Sequence, residues 1–208
     1  MRALPVIIAI MKTHLKKYFA EILGTFSLSL AVVLGIHSGG PISVPLIAGI
    51  TLGLFVYSLG HISGAHFNPA VTIGAWTIGK VRHHDAIFYL VSQFIGAGLA
   101  FAIATNTGAV TNLIVSNVWQ IAIAELIGTF FFTFGIASVI FGKTPADVSG
   151  IAIGASLTLG VIIASAFGSN GILNPAVAVA ISSFNMMYLV GPILGSVLGM
   201  NVYRIFTE

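Results

Sequence analysis

The sequence predicts an all-α membrane protein of six spanning helices and two half-length helices that enter the membrane and return to the same side. Three observations predict it. Charged residues make up only 6% of the 208-residue chain, against about 25% in a soluble domain. So few charges do not cover a surface that faces water. Six stretches have the length and apolar character that a hydrocarbon core demands, about 20 residues each. Two more apolar stretches run for about 12 residues; at 1.5 Å per residue they reach about 18 Å, roughly half the core.

The expected spans are Tyr18–Ile36, Val44–His61, Asp85–Thr105, Val118–Phe141, Val148–Phe167 and Met187–Phe206. The turn His37-Ser38-Gly39-Gly40-Pro41 separates the first two. The half-length stretches are Asn68–Lys80 and Asn174–Asn185. Each follows a short link, Ile62-Ser63-Gly64-Ala65 in one case and Gly168-Ser169-Asn170-Gly171 in the other. Non-helical backbone at membrane depth is tolerated only where protein or water covers it, so the links should face a cavity.

The basic residues test this topology. They are Arg2, Lys12, Lys16, Lys17, Lys80, Arg82, Lys143 and Arg204. With six spans and two re-entrant segments, all of them fall on one side. The opposite loops, near Gly39, Asn112 and Asn170, carry none. The positive-inside rule then places both termini in the cytoplasm, in a cell (plasma or inner) membrane. Reading Asn68–Lys80 as a full span would reverse everything after it and scatter the charges. The net charge of +3 therefore reflects membrane flanks, and no nucleic-acid partner is expected.

Residues 1–17 read as a loose cytoplasmic arm, and residues 18–208 as a single membrane domain. The apolar run Ala3–Met11 behind Arg2 resembles the front of a signal peptide, but no small-residue cleavage site follows it and Lys12, Lys16 and Lys17 intervene. Met11 is an alternative start. The chain has no cysteine, which excludes disulfides and thiol chemistry. No nucleophile–base pair, paired carboxylates or phosphate loop is visible, so no enzyme is expected.

The domain repeats internally, with one copy over about 18–105 and the other over about 118–206. Ala20-Glu21-Ile22-Leu23-Gly24-Thr25-Phe26 matches Ala124-Glu125-Leu126-Ile127-Gly128-Thr129-Phe130, 104 residues on. Asn68-Pro69-Ala70-Val71 matches Asn174-Pro175-Ala176-Val177, 106 residues on. Each copy holds three spans, an odd number, so the second must enter from the opposite side. Such inverted repeats place their pathway at the repeat interface. Asn is a favoured N-cap and Pro a favoured first helical residue. Each motif therefore begins a helix at mid-membrane, and the two N-termini, each carrying about half a positive charge, meet head to head. Their combined field opposes cations. The amides of Asn68 and Asn174 can donate hydrogen bonds into the space between them.

The segment from Gly60 through His61, Ser63, Gly64, His66, Asn68, Pro69 and Ala70 to Thr72 resembles the first-half signature of the aquaporin, or major intrinsic protein, family. Gln93 with Gly96, and Gly191-Pro192 with Gly195, resemble the third and sixth spans of that family. The resemblance covers essentially everything beyond Lys17. It implies an aquaporin-like fold and a homotetramer with one pore per chain. It also implies passive passage of water and small neutral solutes across the lipid bilayer, without cofactor or metal. Opposition to cations at paired half-helix ends is known for such pores.

One position departs from the family, where the second motif continues with arginine. Here that residue is Val177. Counting from the asparagines puts the rest of the family's constriction at Ala48, Ile162 and Gly171. Water-selective relatives carry a bulky aromatic, a histidine and the arginine there. This set is smaller and wholly apolar, which predicts a wider neck without a side-chain donor, open to glycerol, urea or ammonia as well as water.

Glu21 and Glu125 resemble the family glutamates that brace the re-entrant links. Intramembrane acids also serve proton relays, so a proton-coupled secondary transporter using Glu21 or Glu125 is the alternative. His61 and His66 are expected to hydrogen-bond within the first link, and His83 and His84 to lie on solvated surface. Gly24, Gly96, Gly128 and Gly195 are expected at close helix contacts, because small residues let membrane helices approach.

Overall fold

The computed structural model describes the backbone of residues 3–109, 111 and 113–208, and side chains from residue 14. Arg2 and Asn112, and the side chain of Lys12, lie outside the described residues. Among the described residues eight α-helices follow in order: α1 (Ala3–Ser38), α2 (Val44–Ser63), α3 (Pro69–Thr77), α4 (His83–Thr107), α5 (Trp119–Ile140), α6 (Ser149–Ala166), α7 (Pro175–Ala180) and α8 (Met186–Thr207). A single 3₁₀ turn, Ala146–Val148, leads into α6. Six of these segments are long and apolar enough to cross a membrane. The chain is an integral, multi-pass membrane protein.

Packing repeats between the halves. Helix α1 packs on α4 as α5 packs on α8, and α1 on α2 as α5 on α6. The half-helices cross over: α3 packs against α8 of the second half, and α7 against α4 of the first. The seam between α2 and α6 is nearly bare backbone. A Cβ on Gly53 would lie 2.7 Å from the Gly150 carbonyl oxygen, and one on Gly150 would lie 2.6 Å from that of Gly53. Gly96 likewise meets the Ile22 carbonyl, and Gly195 meets that of Leu126. The Gly53–Gly150 contact joins the two halves, and the other two hold neighbouring helices together within each half.

Two boundaries differ from expectation. The arm is helical: backbone of α1 reaches back to Ala3 and continues into the first span. Its described end is tied down, with His14 Nδ1 3.2 Å from Asp85 Oδ1. The half-helices are also shorter than expected, nine and six residues. Each stops at a left-handed residue, Gly79 (φ 72°) and Ser182 (φ 58°). The next amide closes back on the helix, Lys80 N to Ala75 O at 2.9 Å and Ser183 N to Ala178 O at 2.8 Å. This is the 6→1 closure of a Schellman end.

Candidate functional site

Asn68 and Asn174 are N-caps in extended conformation, each followed by proline at the first helical position. Asn68 Oδ1 accepts from Ala70 N at 2.8 Å, and Asn174 Oδ1 from Ala176 N at 3.0 Å. Those bonds fix which end of each amide is oxygen. The nitrogens then cross to the other half: Asn68 Nδ2 donates to Leu173 O at 2.9 Å and Asn174 Nδ2 to Phe67 O at 3.0 Å. Each amide keeps a second hydrogen, and both side chains line the same cavity.

The links ahead of them hold an unusual backbone. Ala65 and Phe67 in the first link, and Gly171 and Leu173 in the second, have φ between 50° and 63°. That region costs a residue with a side chain about 1–2 kcal/mol. Two buried carboxylates offset the cost. Glu21 accepts from Ser63 Oγ (2.6 Å), His66 N (3.0 Å), Phe67 N (2.7 Å) and Gln93 Nε2 (2.8 Å). Glu125 accepts from Ser169 Oγ, from Ile172 N (2.9 Å) and from Leu173 N (2.6 Å). Both carboxylates are fully buried and line neither of the cavities below.

Two cavities follow one another. The outer one, about 250 Å³, holds Asn68, Asn174, Ala48, Gly171 and Val177 on its walls. The inner one, about 780 Å³, opens beside Lys17, Lys80, Arg82 and Asp85. Leu52, His66 and Phe132 line both, so the cavities meet there. Apart from the asparagines, the outer cavity is largely aliphatic, and no charged side chain lines it. The described lysines and arginines gather at the inner end: Lys80 sits 4.7 Å from the Phe141 ring centroid, and that ring packs on Tyr203 next to Arg204.

Three of the four expected neck residues, Ala48, Gly171 and Val177, line the outer cavity together. Ile162 does not. It is 52% exposed on the outer face of α6, and the neighbouring Val161 occupies the cavity wall. One residue of helix turns a side chain by about 100°, so counting to Ile162 selected the wrong face. His61 also departs from expectation: it is exposed on the last turn of α2 and makes no hydrogen bond within the link. Ser63 does that work, bonding Glu21 and accepting from Ala65 N at 3.1 Å. The His66 side chain reaches α3, its Nδ1 3.1 Å from Thr72 Oγ1. His84 is not merely solvated, because its Nδ1 lies 3.9 Å from Asp85 Oδ1. Sequence reasoning missed Ser63 and Ser169, although they recur 106 residues apart, the same offset as the asparagines. It also missed Leu52, Phe132 and Val161, which no motif marks.

The family described as Major intrinsic protein matches residues 9–203. The chain is 29% identical to aquaporin AqpM of Methanothermobacter marburgensis over 241 residues, covering 93% of this chain and 98% of that protein. It is 33% identical to aquaporin Z of Photorhabdus laumondii over 225 residues, covering 92% and 97%. An X-ray structure of the aquaglyceroporin from Plasmodium falciparum superposes with a TM-score of 0.64 at 21% identity, covering 93% of this chain and 95% of that one.

Proposed function

This chain belongs to the major intrinsic protein family and is a passive channel for water and small solutes, and we propose that its route runs through the two cavities past Asn68 and Asn174. The observation that carries this is the shared cavity wall. Both amides, each with one hydrogen left to donate, face a cavity whose remaining wall is mostly aliphatic, with His66, Ser165 and Asn170 as its other polar side chains. A solute hydroxyl or a water meets these two donors between the half-helix ends, which together disfavour cations.

The neck is formed by Ala48, Val161, Gly171 and Val177, without a charged group. An aliphatic neck of this kind admits solutes larger than water, and glycerol and urea are the candidate solutes. The glutamates are structural acceptors in this reading. Both are engaged by link amides away from the cavities, which leaves them without the solvent contact that a proton carrier needs. The basic residues at the inner vestibule support a cytoplasmic position for that end and for both termini. The working unit is a homotetramer with one pore per chain.

Stopped-flow light scattering on proteoliposomes tests the route and the neck. Raised permeability to water and to glycerol or urea, over empty liposomes, is the expected result. Water permeability alone would overturn the wide neck. No permeability in folded protein would overturn the route.

A further inference from the structure

At the inner end, on the rim of the inner cavity, three metal-ligating atoms converge. His14 on α1, His84 on α4 and Asp85 on α4 each present one, and the three lie within 4.8 Å of one another. His14 Nδ1 is 3.2 Å from Asp85 Oδ1 and His84 Nδ1 is 3.9 Å from the same oxygen. Tetrahedral zinc with nitrogen and oxygen ligands near 2.0–2.1 Å sets its ligand atoms about 3.3 Å apart. The cluster needs shifts of an ångström or so to close on an ion.

The surroundings favour that role over a plain ion pair. The two oxygens of Asp85 are divided. Oδ2 takes the cations, with Arg82 Nε at 3.0 Å, Arg82 Nη2 at 2.9 Å and Lys17 Nζ at 3.7 Å. Oδ1 takes the two imidazoles and the Tyr18 hydroxyl, which donates at 3.3 Å. A ligating carboxylate whose second oxygen is hydrogen-bonded, and rings held in place by packing, are what orient a metal site. The His14 ring lies against Tyr18 with centroids 6.1 Å apart, Tyr18 in turn stacks on Phe88 at 5.1 Å, and His84 packs on Phe88 at 4.7 Å. The carboxylate side chain is 7% exposed, whereas the His84 side chain is 67% exposed. An ion can therefore enter from the aqueous side and keep a water in its fourth position. Lys17 and Arg82 oppose a cation, which limits affinity and makes a labile site rather than a permanent one.

We propose that His14, His84 and Asp85 bind a divalent transition metal of the zinc class, stapling the base of α1 to the start of α4 at the vestibule rim. Two imidazoles and one carboxylate suit zinc, nickel or cobalt and not magnesium or calcium, which prefer oxygen. The proposal does not depend on what the pore conducts.

The test uses the full chain, purified in detergent with any histidine tag removed, and titrated with Zn²⁺ by calorimetry and with Co²⁺ by absorption. One saturable Zn²⁺ per chain is expected, with a Co²⁺ spectrum of low coordination number. His84→Ala, which removes an exposed ring, should weaken Zn²⁺ at least about tenfold, and His14→Ala likewise. His83→Ala, the neighbouring residue that packs on Trp76, should leave binding unchanged. Absence of saturable binding to the native chain would overturn the proposal. So would native affinity in His84→Ala, or an equal loss in His83→Ala.

Discussion

The two re-entrant links share a backbone and differ in nearly every side chain around it. Residues 65 and 67 in the first, and 171 and 173 in the second, take the same left-handed conformation. Each is held by a carboxylate that accepts from a serine and two successive amides. Around that frame the chemistry diverges. In the first half, Gln93 Nε2 bridges Glu21 Oε2 and Thr72 Oγ1, both at 2.8 Å, and Thr72 meets His66. At the offset of the asparagines, His66 and Thr72 correspond to Ile172 and Ala178. Matching the helix-contact glycines Gly96 and Gly195 sets Gln93 against Pro192. A polar relay in one half is thus an aliphatic patch in the other. The inverted repeat fixes the path of the chain, and each half then sets the polarity of its own end of the pore.

The second brace therefore stands more alone. Glu125→Gln keeps one acceptor oxygen but turns an NH₂ toward a buried link amide or hydroxyl. Loss of a charge-assisted bond and a buried donor facing a donor should cost about 3–4 kcal/mol. Glu21→Gln should cost less, about 2–3 kcal/mol, because Gln93 can reorient its amide to face the new donor with Oε1, which has no partner now. Thermal denaturation in detergent compares the two. Equal losses would break the asymmetry.

The polar relay itself is probed by Thr72→Val, which is nearly isosteric. Thr72 is fully buried, and the change strips a partner from both Gln93 and His66. About 2 kcal/mol of destabilisation is expected, read in the same assay. Ala178→Val, at the matching position, breaks no hydrogen bond and acts only through crowding. A Thr72→Val chain as stable as the native one would mean that the relay does not hold the first link.

At the neck the comparison becomes functional. Val177→Arg installs a large cation in a cavity of about 250 Å³ that carries no charge. Glycerol and urea permeability should fall by about tenfold, with water affected less, in the same stopped-flow measurement. Unchanged solute flux through folded protein would remove Val177 from the neck.

Much of this arrangement was legible in the sequence because it is periodic or duplicated. The six spans, the half-helices and the facing asparagines each leave a mark of length, charge or repetition. What could not be read was direction. Helix α6 carries apolar residues both on its exposed face and on the face that lines the cavity, so nothing in its pattern separates Val161 from Ile162. The exchange of His61 for Ser63 has a similar origin: both are polar residues at the end of α2, and only the path of the link decides which one turns inward. The reach of α1 back to Ala3 was hidden because an apolar run followed by lysines reads equally as an arm. The tie between His14 and Asp85 joins residues 71 apart, with no motif at either end.

The smallest effect concerns how the half-helices stop. Gly79 and Ser182 occupy the same left-handed position after α3 and α7. Glycine takes it freely, while serine is strained by about 1–2 kcal/mol. Ser182 is exposed and its hydroxyl makes no hydrogen bond, so replacing it forfeits no contact. Ser182→Gly therefore relieves the strain and loses only backbone entropy, about 0.5–1 kcal/mol. A net gain of about 0.5 kcal/mol should follow, and Gly79→Ser should lose about as much. For a chain of this size that is a shift of about 1–2 °C in opposite directions, measurable by differential scanning in one detergent. Two shifts of the same sign would show that the ends of α3 and α7 are not equivalent, and that the halves differ in their backbone as well as in their side chains.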